Sequence, residues 1–361
     1  MKQILYVALD EWRYWSRSHL AMSAVLIFLA LIITSSVLTA AHLQEQNHTR
    51  THQQTEAEDT FLSQPDRHPH RMVHYGHYVF RAAAPLAIFD PGLDAIVGQS
   101  IFLEGHRQNS VMFAESASST NLGDLPWLSP ALIYQLFAPL VLILLGHSAM
   151  VREREAAALA PLLALGITGR TLVMGKVLAL LCFTLLMLCP LLLSGIWALS
   201  SGARVMALLS LLGVYSAYLA IWVALTLLVS TLLNKRSTIL ATMTGLWFCL
   251  TLALPSIAVN FVAEPMAGKI ETDLKMLSDL RKLGDGHNAN DPAFVALRKT
   301  LLEKHQVDRI EDLPVNYRGL VAMDAEEKLS KVLNDYANKR MNAEQQQEQH
   351  LARYGLSLIH I

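Results

Sequence analysis

Residues 147–176 read HSAMVREREAAALAPLLALGITGRTLVMGK. Four consecutive charges, Arg152, Glu153, Arg154 and Glu155, stand between two long apolar runs. A weakly polar, helix-prone stretch follows, then Gly169-Arg170 and the pair Gly175-Lys176. If the flanking runs cross a membrane, this is a short charged helix at the membrane edge. The fold turns on whether they do.

The bulk numbers say that they do. Of 361 residues, 53% are hydrophobic and only 16% are charged. A soluble domain carries nearer to about 25% charge, and the mean hydropathy here is positive. Composition therefore indicates an integral membrane protein of mainly α class. The net charge of −1 offers no bulk field for nucleic acid. Cys182, Cys189 and Cys249 lie inside apolar runs, and no Cys-x-x-Cys metal pattern occurs.

Five runs reach the roughly 20 apolar residues that a bilayer core requires. They fall at 20–41, 130–151, 171–199, 204–233 and 238–262. The first is too long for a cleaved leader and lacks a small-residue cleavage site before His42, so it reads as a retained span. Lys2, Arg13, Arg17, Arg152, Arg154, Arg170, Lys176, Lys235 and Arg236 gather on one side of the spans, against Arg204 in the opposite short loop. The basic side is the cytoplasmic side. The N-terminus is then inside, and the long segments 42–129 and 263–354 are extracytoplasmic.

Residues 1–18 are amphipathic, with Ile4, Leu5, Ala8, Trp12 and Trp15 at helical spacing. They predict a helix lying along the inner interface with its Trp rings at headgroup level. The first insert starts polar and mobile over 42–65, then becomes mixed α/β, with HYVF and SIFLE as strands. The second insert is helical. Asp291-Pro292 reads as a helix start, with Phe294, Leu297 and Leu301 on one face, and a last helix runs from Val321 to Tyr354. The closing GLSLIHI, 355–361, opens like another apolar run, so a sixth span is expected to be missing. Pro139, Pro190 and Pro255 are placed to bend spans.

With the spans placed, 152–170 becomes the first inner loop. The order of parts resembles the permease subunits of type-2 ABC exporters. That family carries Glu-Arg-Glu-x-Gly-Thr-Leu, a Leu-rich turn, a basic position and Gly-Lys. This sequence has Glu153-Arg154-Glu155-Ala156-Ala157-Ala158-Leu159, then Leu162-Leu163, Gly169-Arg170 and Gly175-Lys176. The resemblance implies a coupling helix around Glu153–Leu163 that docks in a groove of a separate ABC ATPase. Arg152, Glu153, Arg154, Glu155, Leu159, Leu162 and Arg170 are its expected contacts. Alternating Arg and Glu suit pairing across an interface. Ala157-Ala158 stands where the family has Gly-Thr, which raises helix propensity and removes a hydroxyl. The resemblance narrows to a bacterial subgroup with large extracytoplasmic domains, related to permeases of gliding-motility and nitrous-oxide-reductase maturation systems. It implies the bacterial inner membrane and a homodimer or a heterodimer with a paralogue.

No Gly-x-x-x-x-Gly-Lys-Ser/Thr loop occurs, so this chain is not expected to be an enzyme. It is expected to hold no cofactor, and ATP-Mg belongs to the partner ATPase. Midplane carboxylates of the kind that proton-driven carriers use are missing from the spans. His147 and Lys176 lie near inner span ends, where they can snorkel to the interface.

One feature supports a different class of function. His68, His70, His74 and His77 fall within ten residues. Imidazole binds copper, zinc or nickel, so a metal-binding membrane receptor or assembly factor is the alternative. Packing with Tyr75 and Tyr78 inside a small domain accounts for the same residues without metal.

Overall fold

A computed structural model describes residues 2–66, 72, 74–90, 100–105, 129–257, 266–284, 286 and 288–353. The helices are α1 (Lys2–Arg17), α2 (His19–Leu62), α3 (Pro130–Gly146), α4 (Val151–Glu155), α5 (Leu159–Ala164), α6 (Gly169–Met187), α7 (Cys189–Ser200), α8 (Val205–Leu232), α9 (Arg236–Phe248), α10 (Met266–Arg281), α11 (Val295–His305) and α12 (Tyr317–Arg353). Strands β1 (His77–Phe80) and β2 (Ser100–Leu103) pair as a two-stranded sheet. Among the described residues, five helical stretches are long and apolar enough to cross a membrane: His19–Leu62, Pro130–Glu155, Gly169–Ser200, Val205–Leu232 and Arg236–Ile257. The protein is a mainly α, polytopic membrane protein.

The chain divides into two units. The first holds α1 to α9. Its core joins Phe28 and Ile32 of α2, Ile133, Tyr134 and Leu142 of α3, Leu180 and Phe183 of α6, Leu219 and Trp222 of α8, and Ile239 and Met243 of α9. Other apolar side chains face outward, among them Leu26, Ile33 and Leu38 on α2 and Leu185, Leu193 and Leu228 on later helices. In water such a surface would aggregate; against lipid tails, which are as apolar as leucine, it has no cost.

Two local features depart from straight spans, and each has a proline beside it. The third span breaks between α6 and α7, where Pro190 sits in the first turn of α7 and supplies no N–H. The hydroxyl of Tyr134 enters this break. It donates to the Met187 carbonyl at 2.5 Å and meets the backbone N–H of Leu191. In an unbroken helix those two groups would bond each other, so a side chain bridges the interrupted ladder. In the fifth span, Cys249–Ala253 forms a π-helical turn shortly before Pro255. Pro139 lies inside α3 without interrupting it.

The segment expected to be polar and mobile over 42–65 continues α2 as far as Leu62. At about 1.5 Å per residue the 44 residues of α2 reach roughly 65 Å, about twice a bilayer core of about 30 Å. The costly nucleation of a helix is already met by the apolar half, and the polar half adds one hydrogen bond per residue. This extension positions the insert: Gln54 accepts the Phe80 N–H of β1 at 3.1 Å. The insert also reaches back into the core. Phe89 stacks edge-on with Tyr215 at 5.1 Å between ring centroids, and its carbonyl accepts the Ala131 N–H at 3.0 Å.

The second unit includes α10, α11 and α12. Asp291 caps the turn at Pro292–Phe294 by accepting the Ala293 N–H, as its sequence predicts. Phe294, Tyr317 and Val321 form a small buried core. The last helix starts at Tyr317, four residues before the expected Val321. Within this unit α10 and α12 pair antiparallel, through Tyr336 to Asp279 at 2.9 Å and Arg340 to Asp273 at 3.0 Å. Hydrogen bonds from Lys282 and Tyr336 hold the Asp279 carboxyl below its ordinary value of 3.8.

Candidate functional site

The loop between the second and third spans carries a dense set of polar contacts. Each of its four consecutive charges reaches a different helix. Arg152 forms a fork with Glu11 of α1, with N–O distances of 2.6 and 3.3 Å. Glu153 accepts from Lys176 of α6 at 2.5 Å. Arg154 donates to the carbonyls of Ser230 and Thr231 at 2.6 and 3.3 Å, and to Asn234 at 2.9 Å. Those carbonyls belong to the last turn of α8, where backbone acceptors lack helical partners and the helix dipole is negative. Glu155 accepts from the Arg236 side chain and, at 3.2 Å, from its backbone N–H. That is the opposite case, a carboxylate at the start of α9.

At the centre lies a buried ionic cluster. Lys176 is 1% exposed, Glu11 2% and Glu153 8%. The Lys176 ammonium donates to Glu11 at 2.7 Å, to Glu153 at 2.5 Å and to the Ala149 carbonyl. All three of its donors are used. With Arg152 the cluster holds two carboxylates and two cations, so it is neutral as a whole. Arg152 also lies 4.1 Å from the Tyr14 ring centroid, a cation–π contact. Desolvating four charges is costly, and only this pairing offsets it.

Gly175 makes the cluster possible. A Cβ built there would stand 2.5 Å from Val7 Cβ and 3.0 Å from the Ile4 carbonyl. The missing side chain lets α1 lie directly on α6, and the next residue, Lys176, then reaches Glu11. The Gly-Lys pair is thus one device for close approach and for charge capture. Trp15 completes the docking, with its indole N–H on the Leu145 carbonyl at 3.2 Å and its ring edge-on to Phe183. Trp15 is buried in the protein, which corrects the expectation that both Trp rings of α1 sit at headgroup level. Lys176 likewise does not snorkel outward.

The expected single helix around Glu153–Leu163 is two helices. Its α4 half ends in a Schellman turn: Ala158 N–H bonds Glu153 O, Ala157 N–H bonds Arg154 O, and Ala157 is left-handed with φ 54°. Pro161 explains the break. In a continuous helix its ring would clash with the Ala157 carbonyl four residues back. The α5 half ends in the same turn around Gly166, with φ 83°. No residue of α5 is buried. Leu163 and Leu165 are 48% and 77% exposed, whereas Leu159 and Leu162, expected to fill a partner's groove, are half-buried. Arg170 is exposed in the first turn of α6, which Thr168 caps.

Glu11 escaped the sequence reading. Its signal was an acidic residue between Ala8 and Trp15 on the apolar stripe of α1. Of the histidines, His68 and His70 lie outside the described residues. Among the described residues no group of three His, Cys, Asp or Glu side chains stands close enough to share a metal ion.

Residues 5–291 match the family model described as ABC-2 family transporter protein. Residues 269–358 match a domain of unknown function (DUF3526). No curated protein matches the chain.

Proposed function

The chain belongs to the ABC-2 family of transporter proteins, and we propose that its loop of α4 and α5 couples its spans to ATP hydrolysis in a separate subunit. As a membrane permease of an ABC transporter it has an ABC ATPase for a partner. ATP-Mg is bound and hydrolysed there, and this chain supplies no catalytic group.

The observation that carries the reading is the wiring of the loop. Arg152, Glu153, Arg154 and Glu155 tie it to α1, α6, α8 and α9. A push on α5 at the surface is passed through α4 to four helices at once. The bonds of Arg152 and Glu153 are short, charge-assisted and largely shielded from water, and such bonds resist distortion more than contacts in water do. The break at Pro190 and the π-helical turn before Pro255 give the third and fifth spans places to bend.

The Lys and Arg bias supports a cytoplasmic side for this loop and the N-terminus, and the family resemblance supports a bacterial inner membrane. The inserts, including the polar half of α2, then project to the far side. Two copies, or this chain and a paralogue, form the permease pair over an ATPase dimer. The output is export of a cargo or mechanical work on an extracytoplasmic partner.

Flotation of membranes from cells co-expressing the chain with a candidate partner ABC ATPase from the same organism tests the reading. The ATPase is expected to float with the membranes only when the chain is present, and its hydrolysis rate to change on assembly. An ATPase that stays soluble in both cases contradicts it.

A further inference from the structure

We propose that the surface gripped by the ATPase is apolar, built on Leu163 and Leu165, and that the charges of α4 take no part in the contact. The proposal rests on the coupling role just given and names the chemistry of the partner's groove, an aliphatic or aromatic slot without opposing charge.

Three observations converge. Residues 156–169 contain no charged side chain. The charges that precede them are engaged within the chain: Arg152 and Glu153 in the buried cluster, Arg154 on the end of α8, and Glu155 on the start of α9. Presenting Arg152 or Glu153 to a partner would break a buried bond that holds another helix. Meanwhile Leu163 stands 48% exposed on a helix with no buried residue of its own, and Leu165, just past its end, 77%.

The backbone fits the same use. Left-handed turns at Ala157 and Gly166 close α4 and α5 and satisfy the end carbonyls of both. A helix only six residues long is marginal alone, but with Pro161 inside it and closed ends it loses little further freedom on docking. It therefore enters a groove as a preformed apolar knob. A charged interface would steer association and respond to salt; an apolar one would not.

Lipid is the competing cover for exposed leucines at a membrane edge, and the test separates the two. The full chain is co-purified with its ABC ATPase in detergent, and retained ATPase is measured as salt rises from about 0.1 M to about 1 M, where the Debye length falls from about 10 to about 3 Å. Retention is expected to stay within about twofold, and Leu165→Asp and Leu163→Asp are each expected to lower it roughly tenfold or more. Both sites are exposed, so the thermal midpoint of the permease alone should not move. Retention that collapses with salt and survives Leu165→Asp overturns the apolar contact and leaves the coupling role standing. No retention even at low salt removes the coupling role and the proposal with it. In a background with Cys182→Ser, Cys189→Ser and Cys249→Ser, Leu165→Cys in membranes should react with a water-soluble maleimide and be protected by bound ATPase. Protection without ATPase assigns the leucines to lipid and overturns the proposal.

Discussion

The two halves of one loop, α4 and α5, use opposite chemistry in opposite directions. Helix α4 is charged, and its charges turn inward to other helices of the chain. Helix α5 is apolar, and Leu163 on it and Leu165 just past its end turn outward. The usual expectation for a soluble surface is the reverse. At a membrane edge the low dielectric reverses it: an unpaired charge there is costly, so charges seek partners within the chain. Apolar side chains there lie close to lipid and lose little by exposure. Charge in such a loop is thus a sign of internal bracing before it is a sign of a partner.

Breaking the inward half should have the largest effect. Glu11→Ala leaves Lys176 and Arg152 short of a carboxylate in a buried site, at a cost of about 3–5 kcal/mol. The thermal midpoint of the purified permease should drop steeply, and Glu11→Gln combined with Lys176→Met should lose less than the sum of its parts. If Glu11→Ala melts like the wild type, α1 is not braced by this cluster. Gly175→Ala probes the same docking by bulk alone. The new Cβ meets Val7, and overpacking of this kind costs about 1–3 kcal/mol, read as a lower midpoint and faster proteolysis of α1.

The joint between the halves should respond with the opposite sign. Ala157 adopts a left-handed conformation that penalises a Cβ. Ala157→Gly should therefore stabilise the permease, because relief of a left-handed penalty of about 1–2 kcal/mol exceeds the about 0.4–1 kcal/mol of added unfolded-state freedom, while Gly166→Ala at the matching turn should destabilise it. The smallest effect lies away from the loop, where the α10–α12 pair is braced on the surface. Asp279 is held below 3.8 in the folded protein. A depressed carboxyl contributes stability above its unfolded value, and that contribution fades as pH falls through the folded one. Hydrogen exchange of α10 should accelerate in that acid window, and Asp279→Asn should remove the pH dependence.

The spans were legible because five long apolar runs leave few alternatives in a bilayer. The Asp291-Pro292 helix start was legible for a local reason, a side-chain acceptor ahead of a residue without an N–H. The polar half of α2 was not, because His42–Leu62 has no apolar period; its helix is carried over from the span before it. The split of the loop was available in Pro161, but the alanines around it suggested continuity. For the site charges, a sequence does not say whether Glu153 faces a partner or Lys176; the structure sets it on Lys176. Glu11 was the least visible: its chemistry appears only when Gly175 lets α1 and α6 touch.

The division of labour in the loop is tested most directly by hydrogen–deuterium exchange over residues 151–165, in the permease alone and in complex with its ATPase. Amides of Val151–Glu155 should be protected already in the permease alone and change little on binding, while those of Leu159–Leu165 should gain protection. Protection gained at Val151–Glu155, with Leu159–Leu165 unchanged, would contradict the account and return the charges to the partner's surface.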